Sequence, residues 1–242
     1  MEKSNQQTKS LFIVSSAIHA NHGVFDKNER LNQTIETCKS IRQRVSDCDI
    51  FILDGGTKDL SDEEKDKLQP YINDFYSYAD SENVKEIQKS KNWDIVKNLI
   101  EIMIFGNFFE ENKNELRKNY KRIFKVSGRY VLNDNFDYDM HMNARGKIVV
   151  RGLYTSQFPS SVTRNLNLQY MSRLWSFDSS FIFFIAEMYK EMYKHMIDAL
   201  NSGGYVDIEH LLCFYLDPQH TCIVNKIGIE GQIAPNGTGV SD

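Results

Sequence analysis

Three stretches of the chain are apolar without alternation and stop abruptly on small, acidic or basic groups. Leu11-Phe12-Ile13-Val14 runs into Ser15-Ser16-Ala17, Ile50-Phe51-Ile52-Leu53 into Asp54-Gly55-Gly56, and Ile123-Phe124-Lys125-Val126 into Ser127-Gly128-Arg129. A strand covered on both faces need not alternate, so each stretch predicts a buried strand of a parallel sheet. Between the first two, residues 29–45 set Leu31, Ile35, Cys38, Ile41 and Val45 on one helical stripe. Strand, helix and strand with a short return make a βαβ unit.

The rest of the pattern is less uniform. Ser61 with Glu64 three residues on forms a capping box before a short acidic helix, and Pro70 follows closely. Residues 75–78 predict a short strand, residues 93–109 a long apolar helix ending near Gly106, and residues 110–122 a charged, solvated segment. A strand is expected at 147–153, a Ser/Thr-rich loop over a cleft at 154–167, and an aromatic-rich helix within 176–200, stopped by Ser202-Gly203-Gly204. Asp207 and Glu209 open a further helix. A strand at 222–224 precedes a glycine-bearing tail read as irregular. No repeat or linker divides the chain, so the expectation is a single α/β domain with a mostly parallel central sheet flanked by helices.

Composition agrees with one domain: 242 residues, 41% hydrophobic and 26% charged. The net charge of −4 supplies no global basic field, which argues against a nucleic-acid partner. Cys38, Cys48, Cys213 and Cys222 show no CxxC spacing and read as reduced thiols; a zinc site built from them with His210 or His220 lacks a close ligand pair to nucleate it. Residues 1–10 are polar, without the apolar core of a signal peptide, and the richest apolar stretch, 179–186, is too short to span a bilayer. A cytoplasmic protein with no transmembrane segment is expected.

Candidate chemistry lies at the strand ends, where ligands bind in open α/β sheets. Asp54 there could accept hydrogen bonds from a ribose or base, with Gly55 letting backbone approach; an Asp-Gly-Gly tight turn is the competing reading. Asp134, Asp137 and Asp139 are spaced closely enough for a hard cation, although the run lacks the glycine and terminal Glu of a calcium loop. There is no G-x-x-x-x-G-K-[ST], no G-x-G-x-x-G after the first strand and no G-x-S-x-G, which counts against P-loop, dinucleotide-dependent and α/β-hydrolase chemistry.

Residues 11–16, 29–42 and 49–59 together resemble the nucleotide-binding half of a GT-A glycosyltransferase. Phe51-Ile52-Leu53-Asp54-Gly55-Gly56-Thr57-Lys58-Asp59 is similar to that superfamily's D-D-G-S-x-D turn, with Asp54 matching an acid and Asp59 the last one. Where the family carries a metal-binding D-x-D, this chain reads Ser127-Gly128-Arg129. The resemblance implies a single GT-A-like domain whose residues 11–130 bind the nucleotide-sugar, UDP-linked in the family's manner, and whose residues 131–242 bind a glycan or other hydroxyl acceptor. Ser15, Ser16, Asp54 and Gly55 would hold the nucleoside. For the diphosphate two arrangements stand: Ser127, Gly128 and Arg129 replace a metal, or Asp134 is a displaced ligand for manganese or magnesium. Glu209 or Asp207 would be the base of an inverting transfer, or both simply cap their helix. A nucleotidyltransferase and a non-catalytic nucleotide- or glycan-binding module are the alternatives.

Overall fold

The computed structural model describes residues 9–233 and 237–242; the polar start of the chain and residues 234–236 of the tail lie outside them. The chain opens with strand β1 (Ser10–Ser16), helix α1 (Lys27–Arg44) and strand β2 (Cys48–Asp54), continues through α2 (Asp62–Leu68), β3 (Asp74–Ser77) and α3 (Glu82–Ile87), and then enters α4 (Trp93–Asn119). There follow β4 (Arg122–Ser127), β5 (Tyr130–Leu132), α5 (Tyr138–Asn143), β6 (Ile148–Thr155) and β7 (Leu168–Asp178). The last elements are α6 (Ile182–Asn201), α7 (Ile208–Tyr215), β8 (Thr221–Val224), β9 (Ile229–Gln232) and β10 (Gly239–Ser241).

Seven strands form one sheet in the order β3-β2-β1-β4-β7-β6-β8. β1 pairs in parallel with both β2 and β4, β2 with β3, and β6 with β8, while β7 runs antiparallel to β4 and β6. The non-alternating strands are covered on both sides, as expected. Leu11, Ile13 and Ile123 pack with α4, α6 and α7; Phe12, Val14, Phe124 and Val126 face α1 and the small sheet described below. From β1 the chain winds outward to β2 and β3, then returns through α4 to β4 on the other side of β1. That reversal is the topological switch point, and it opens a crevice at the carboxyl ends of β1 and β4.

Helix α1 starts on a capping box: Asp26 Oδ1 accepts from the backbone N–H groups of Asn28 and Glu29, and Glu29 Oε2 accepts from that of Asp26. Ser61 and Glu64 cap α2 in the same reciprocal way.

Three expectations need correction. Helix α4 does not stop near Gly106 but continues through the charged segment to Asn119, because buried Leu116 and the Glu110–Lys113 ion pair at 2.5 Å support the added turns. Strand β7 was not anticipated, since Gln169, Ser172, Arg173 and Ser176 interrupt its apolar positions; inside the sheet Gln169, Ser172 and Ser176 are buried. The tail is not irregular throughout: β9 pairs with β5 and β10 to make a three-stranded antiparallel sheet. Asp242 anchors it, its Oδ1 accepting from the N–H groups of Ile227, Gly228 and Ile229 while Oδ2 pairs with Arg151 at 2.7 Å. Gly228 has φ +82°, and a Cβ there would stand 2.1 Å from the Phe136 nitrogen, so only glycine fits.

Candidate functional site

The strand register brings the predicted positions level. Ser15 lies beside Ser127 across the β1–β4 pair, and Ser16 beside Asp54 across β1–β2. Above these ends is a cleft enclosing about 880 Å³, part of it open to solvent. Ser15, Ser16, Gly55, Ser127 and Arg129 line it, joined by the loop after β1 (Ala20, Asn21, His22, Gly23), by Arg30 of α1, and by Trp93, Lys97 and Glu101 on the facing side of α4.

Asp54 and Gly128 are not part of that lining. The Asp54 side chain is buried, and its oxygens are taken by the chain itself: Oδ1 accepts from Ser16 Oγ at 2.6 Å and Ile18 N at 3.0 Å, Oδ2 from Gly56 N at 2.9 Å. Burial pushes this carboxyl upward from its ordinary value, against the hydrogen bonds from Ser16, Ile18 and Gly56. Asp54 thus ties the ends of β1 and β2 together in the manner of the tight-turn reading. A Cβ on Gly56 would stand 2.6 Å from Asp54 Oδ2, which is why the turn carries glycine there. Gly128 donates its N–H to the Ser15 carbonyl at 2.8 Å and fixes the turn that presents Arg129.

Arg129 and Arg30 converge on the cleft. Arg30 spans the loop after β1 from beneath, donating to the carbonyls of Phe25, Ala17 and His22. Its pKa is lowered by burial and then by the like charge of Arg129, with Asp54 opposing. Among the described residues Arg129 Nε is buried without a hydrogen-bond partner. Two guanidiniums close enough to disfavour each other, one with an uncommitted donor, favour an anion between them.

Farther along the cleft wall, Glu101 pairs with Lys125 of β4 at 2.5 Å. Lys125 donates to the Ser172 carbonyl at 2.8 Å, and the Ser172 hydroxyl donates to Glu209 Oε1 at 2.5 Å. Glu209 stands in the first turn of α7, half-buried. Burial and then Asp207 raise its carboxyl, against Lys97 and the Ser172 hydrogen bond. Asp207 is the N-cap of that helix: Oδ1 accepts from His210 N at 3.0 Å and lies 2.6 Å from His210 Nδ1. Burial would raise it too, but the hydrogen bonds and charge of His210 hold it below its ordinary range. On the other side of the same ring, His210 Nε2 lies 2.8 Å from Ser156 Oγ, which fastens the loop after β6. The pair of acids is therefore divided between an engaged cap and a carboxyl with raised proton affinity.

Asp134 lies elsewhere. It is fully exposed and pairs with Arg44, in the last turn of α1, whereas Arg30 in the first turns of that helix lines the cleft. Among the described residues no three His, Cys, Asp or Glu side chains form a group that could hold a metal ion. Asp134 is therefore not placed to hold a metal at the cleft. The four cysteines are free thiols, Cys38 and Cys48 buried; burial pushes Cys38 up to about 12. No helix among the described residues is long and apolar enough to cross a membrane.

Sequence reasoning missed Arg30, Trp93, Lys97, Glu101 and Lys125. Lys125 carried a signal, being a charge inside an otherwise apolar strand. The α4 residues carried none, because only the path of that helix across the sheet brings them to the cleft. No family model matches the chain, and a search of curated proteins finds no match. What is defined at this stage is an α/β protein with a cationic cleft at the switch point of its sheet.

Proposed function

We propose that the protein is a glycosyltransferase that moves a sugar from a nucleotide diphosphate-sugar, such as a UDP-sugar, to a hydroxyl acceptor with inversion. The observation that carries this reading is Arg129, whose buried Nε has no hydrogen-bond partner, beside Arg30 at the switch-point crevice. Arginine presents a planar fork that matches phosphate oxygens, and the like charge of Arg30 raises the gain from binding an anion there. The position after β4 is also the one at which the GT-A resemblance places diphosphate binding, here with arginine in place of the metal acids.

In the mechanism, the diphosphate rests against Arg129 and Ser127, with Ser15 and Ser16 near the nucleoside and Trp93 available for stacking. Glu209 takes the proton of the acceptor hydroxyl as that oxygen attacks the anomeric carbon. The bond from that carbon to the diphosphate oxygen breaks, and Arg129 takes up the charge left on the leaving group. The raised proton affinity of Glu209 suits it to this task better than Asp207, whose Oδ1 is committed to His210 and Oδ2 to Gln169.

A thermal-shift series with UDP, GDP, CMP and their sugars, with and without manganese, tests the reading. A ligand at 100 times its dissociation constant should stabilise the fold by about 2.7 kcal/mol. Arg129→Ala should melt like the wild type alone and lose that shift. A wild-type melt that no nucleotide or nucleotide-sugar moves would sink the proposal.

A further inference from the structure

Lys125 departs from the pattern of its own strand. Ile123, Phe124 and Val126 are buried apolar residues of β4, and Lys125 between them is equally inaccessible. A buried charge persists only where its lost hydration is offset by partners, and an apolar side chain of similar size commonly serves stability as well or better. Departures of this kind from local rules concentrate at functional sites.

The ammonium makes two hydrogen bonds and one ion pair. It lies 2.5 Å from Glu101 Oε1 on α4, donates to Ser127 Oγ at 2.9 Å at the end of its own strand, and donates to the Ser172 carbonyl at 2.8 Å on β7. Ser172 in turn donates its hydroxyl to Glu209 Oε1 at 2.5 Å. One cation therefore joins the cleft wall, the strand end on the donor side and, through a single serine, the acid at the head of α7. Fully buried, it offers nothing to a ligand directly.

We propose that Lys125 is a positioning residue that sets Ser127, on the donor side of the cleft, and Glu209, on the acceptor side, in a fixed relation to each other. The roles of those two residues rest on the glycosyl-transfer reading; the network that joins them does not. Lys125 acts through Ser127, Ser172 and Glu101, and it touches neither the donor nor the acceptor.

Lys125→Met alone leaves Glu101 beside an apolar group and is expected to destabilise the fold. The double variant Lys125→Met/Glu101→Gln removes both charges and should recover a melting temperature near that of Glu101→Gln, the control. Two quantities are then compared between double variant and control: UDP affinity by calorimetry, and the titration of the Glu209 carboxyl carbon by NMR of glutamate-labelled protein. Glu209 is faced by Asp207 from α7, by Lys97 and Glu101 from α4 and by Ser172 from β7. Without the Lys125 ammonium on the Ser172 carbonyl, the Ser172 hydroxyl should be displaced from Glu209, and losing that hydrogen bond should move the midpoint upward by roughly one unit. UDP should bind about tenfold or more weakly, the consequence of a misplaced Ser127. If the wild type binds UDP, a double variant that is folded and binds it as tightly as the control makes Lys125 purely structural and overturns the proposal. Should the wild type bind no nucleotide at all, the glycosyl-transfer reading falls by itself, and the titration decides for Lys125: an upward shift supports the positioning role, an unmoved midpoint overturns it.

Discussion

Asp54 at the end of β2 and Glu209 at the head of α7 are both carboxylates at the tip of an element and outside the residues that line the cleft, and their partners divide them. Asp54 accepts hydrogen bonds from two backbone N–H groups and a serine hydroxyl, all from the turns that close β1 and β2. Glu209 accepts from one hydroxyl, Ser172, and has Asp207 as an electrostatic neighbour. Burial raises the proton affinity of both. In Asp54 that effect meets a shell of donors that keeps the group busy holding two strands together. In Glu209 it meets a sparse shell, which leaves an oxygen to take a proton from something else. An acid at the tip of a secondary element is thus assigned by counting the donors around it, and position alone is insufficient.

The largest expected effect separates the two by chemistry. Glu209→Gln keeps shape and the Ser172 contact but cannot accept a proton, so turnover with an identified donor and acceptor should fall by about 10²–10⁴-fold. Nucleotide affinity should stay within a factor of about two, because the group is not asked to touch the donor. Single-turnover kinetics with calorimetry of the donor reads both quantities. Transfer at the wild-type rate would move the role elsewhere. If Asp207→Asn is then the slow variant, the cap and not Glu209 is the base.

Asp54 should fail in the opposite way. Asp54→Ala strips partners from Ile18 N, Gly56 N and the Ser16 hydroxyl in a buried turn, and a loss of about 3 kcal/mol is expected. Urea unfolding measures it from the midpoint at unchanged slope. Any loss of nucleotide binding should follow that instability and disappear under conditions where the variant is fully folded. A stable Asp54→Ala protein that has lost only nucleotide affinity would restore the ligand-binding reading of this acid.

Much of this arrangement was legible in the residues, for identifiable reasons. Apolar runs ending on Ser15, Asp54 and Ser127, the last interrupted only by Lys125, state both a doubly covered strand and the end at which chemistry can occur. The capping box of Ser61 and Glu64 and the helix opened by Asp207 are local signals, written within four residues, whereas the second box, Asp26 with Glu29, begins in a stretch read as loop. What was not legible is non-local. Whether Asp54 meets a ligand or the amides of Ile18 and Gly56 depends on how a turn folds back. Lys97 and Glu101 reach the cleft only because α4 crosses the sheet at the switch point. Strand β7 was hidden by Gln169, Ser172 and Ser176, whose polarity is satisfied by partners distant in the chain, among them Arg122 at 2.8 Å from Ser176 Oγ. The tail was hidden for a related reason, since glycines that suggest irregular backbone are here the residues that let β9 approach β5 and Phe136 closely.

A third acid sharpens the comparison by shifting the other way. Glu64, the capping-box acid of α2, is buried, which by itself would raise its carboxyl. Hydrogen bonds from Ser61 N and His19, with the Lys27 ammonium at 3.4 Å, outweigh that and hold it down at about 2. His19 belongs to the loop after β1, and its carbonyl accepts the N–H and hydroxyl of Thr57, which lines the cleft. Glu64 therefore supports the loop that closes one end of the cleft. An unfolded glutamate titrates near about 4.3. A carboxyl depressed in the fold stabilises it above that value, and the contribution fades as pH falls from there toward about 2. Wild type and Glu64→Gln, melted in parallel from pH 7 to pH 2.5, should differ most at neutral pH and converge toward the acid end. Curves that keep a constant separation would show that the ionised form of Glu64 contributes nothing specific, leaving its hydrogen-bond geometry, which glutamine largely keeps, as the whole of its role.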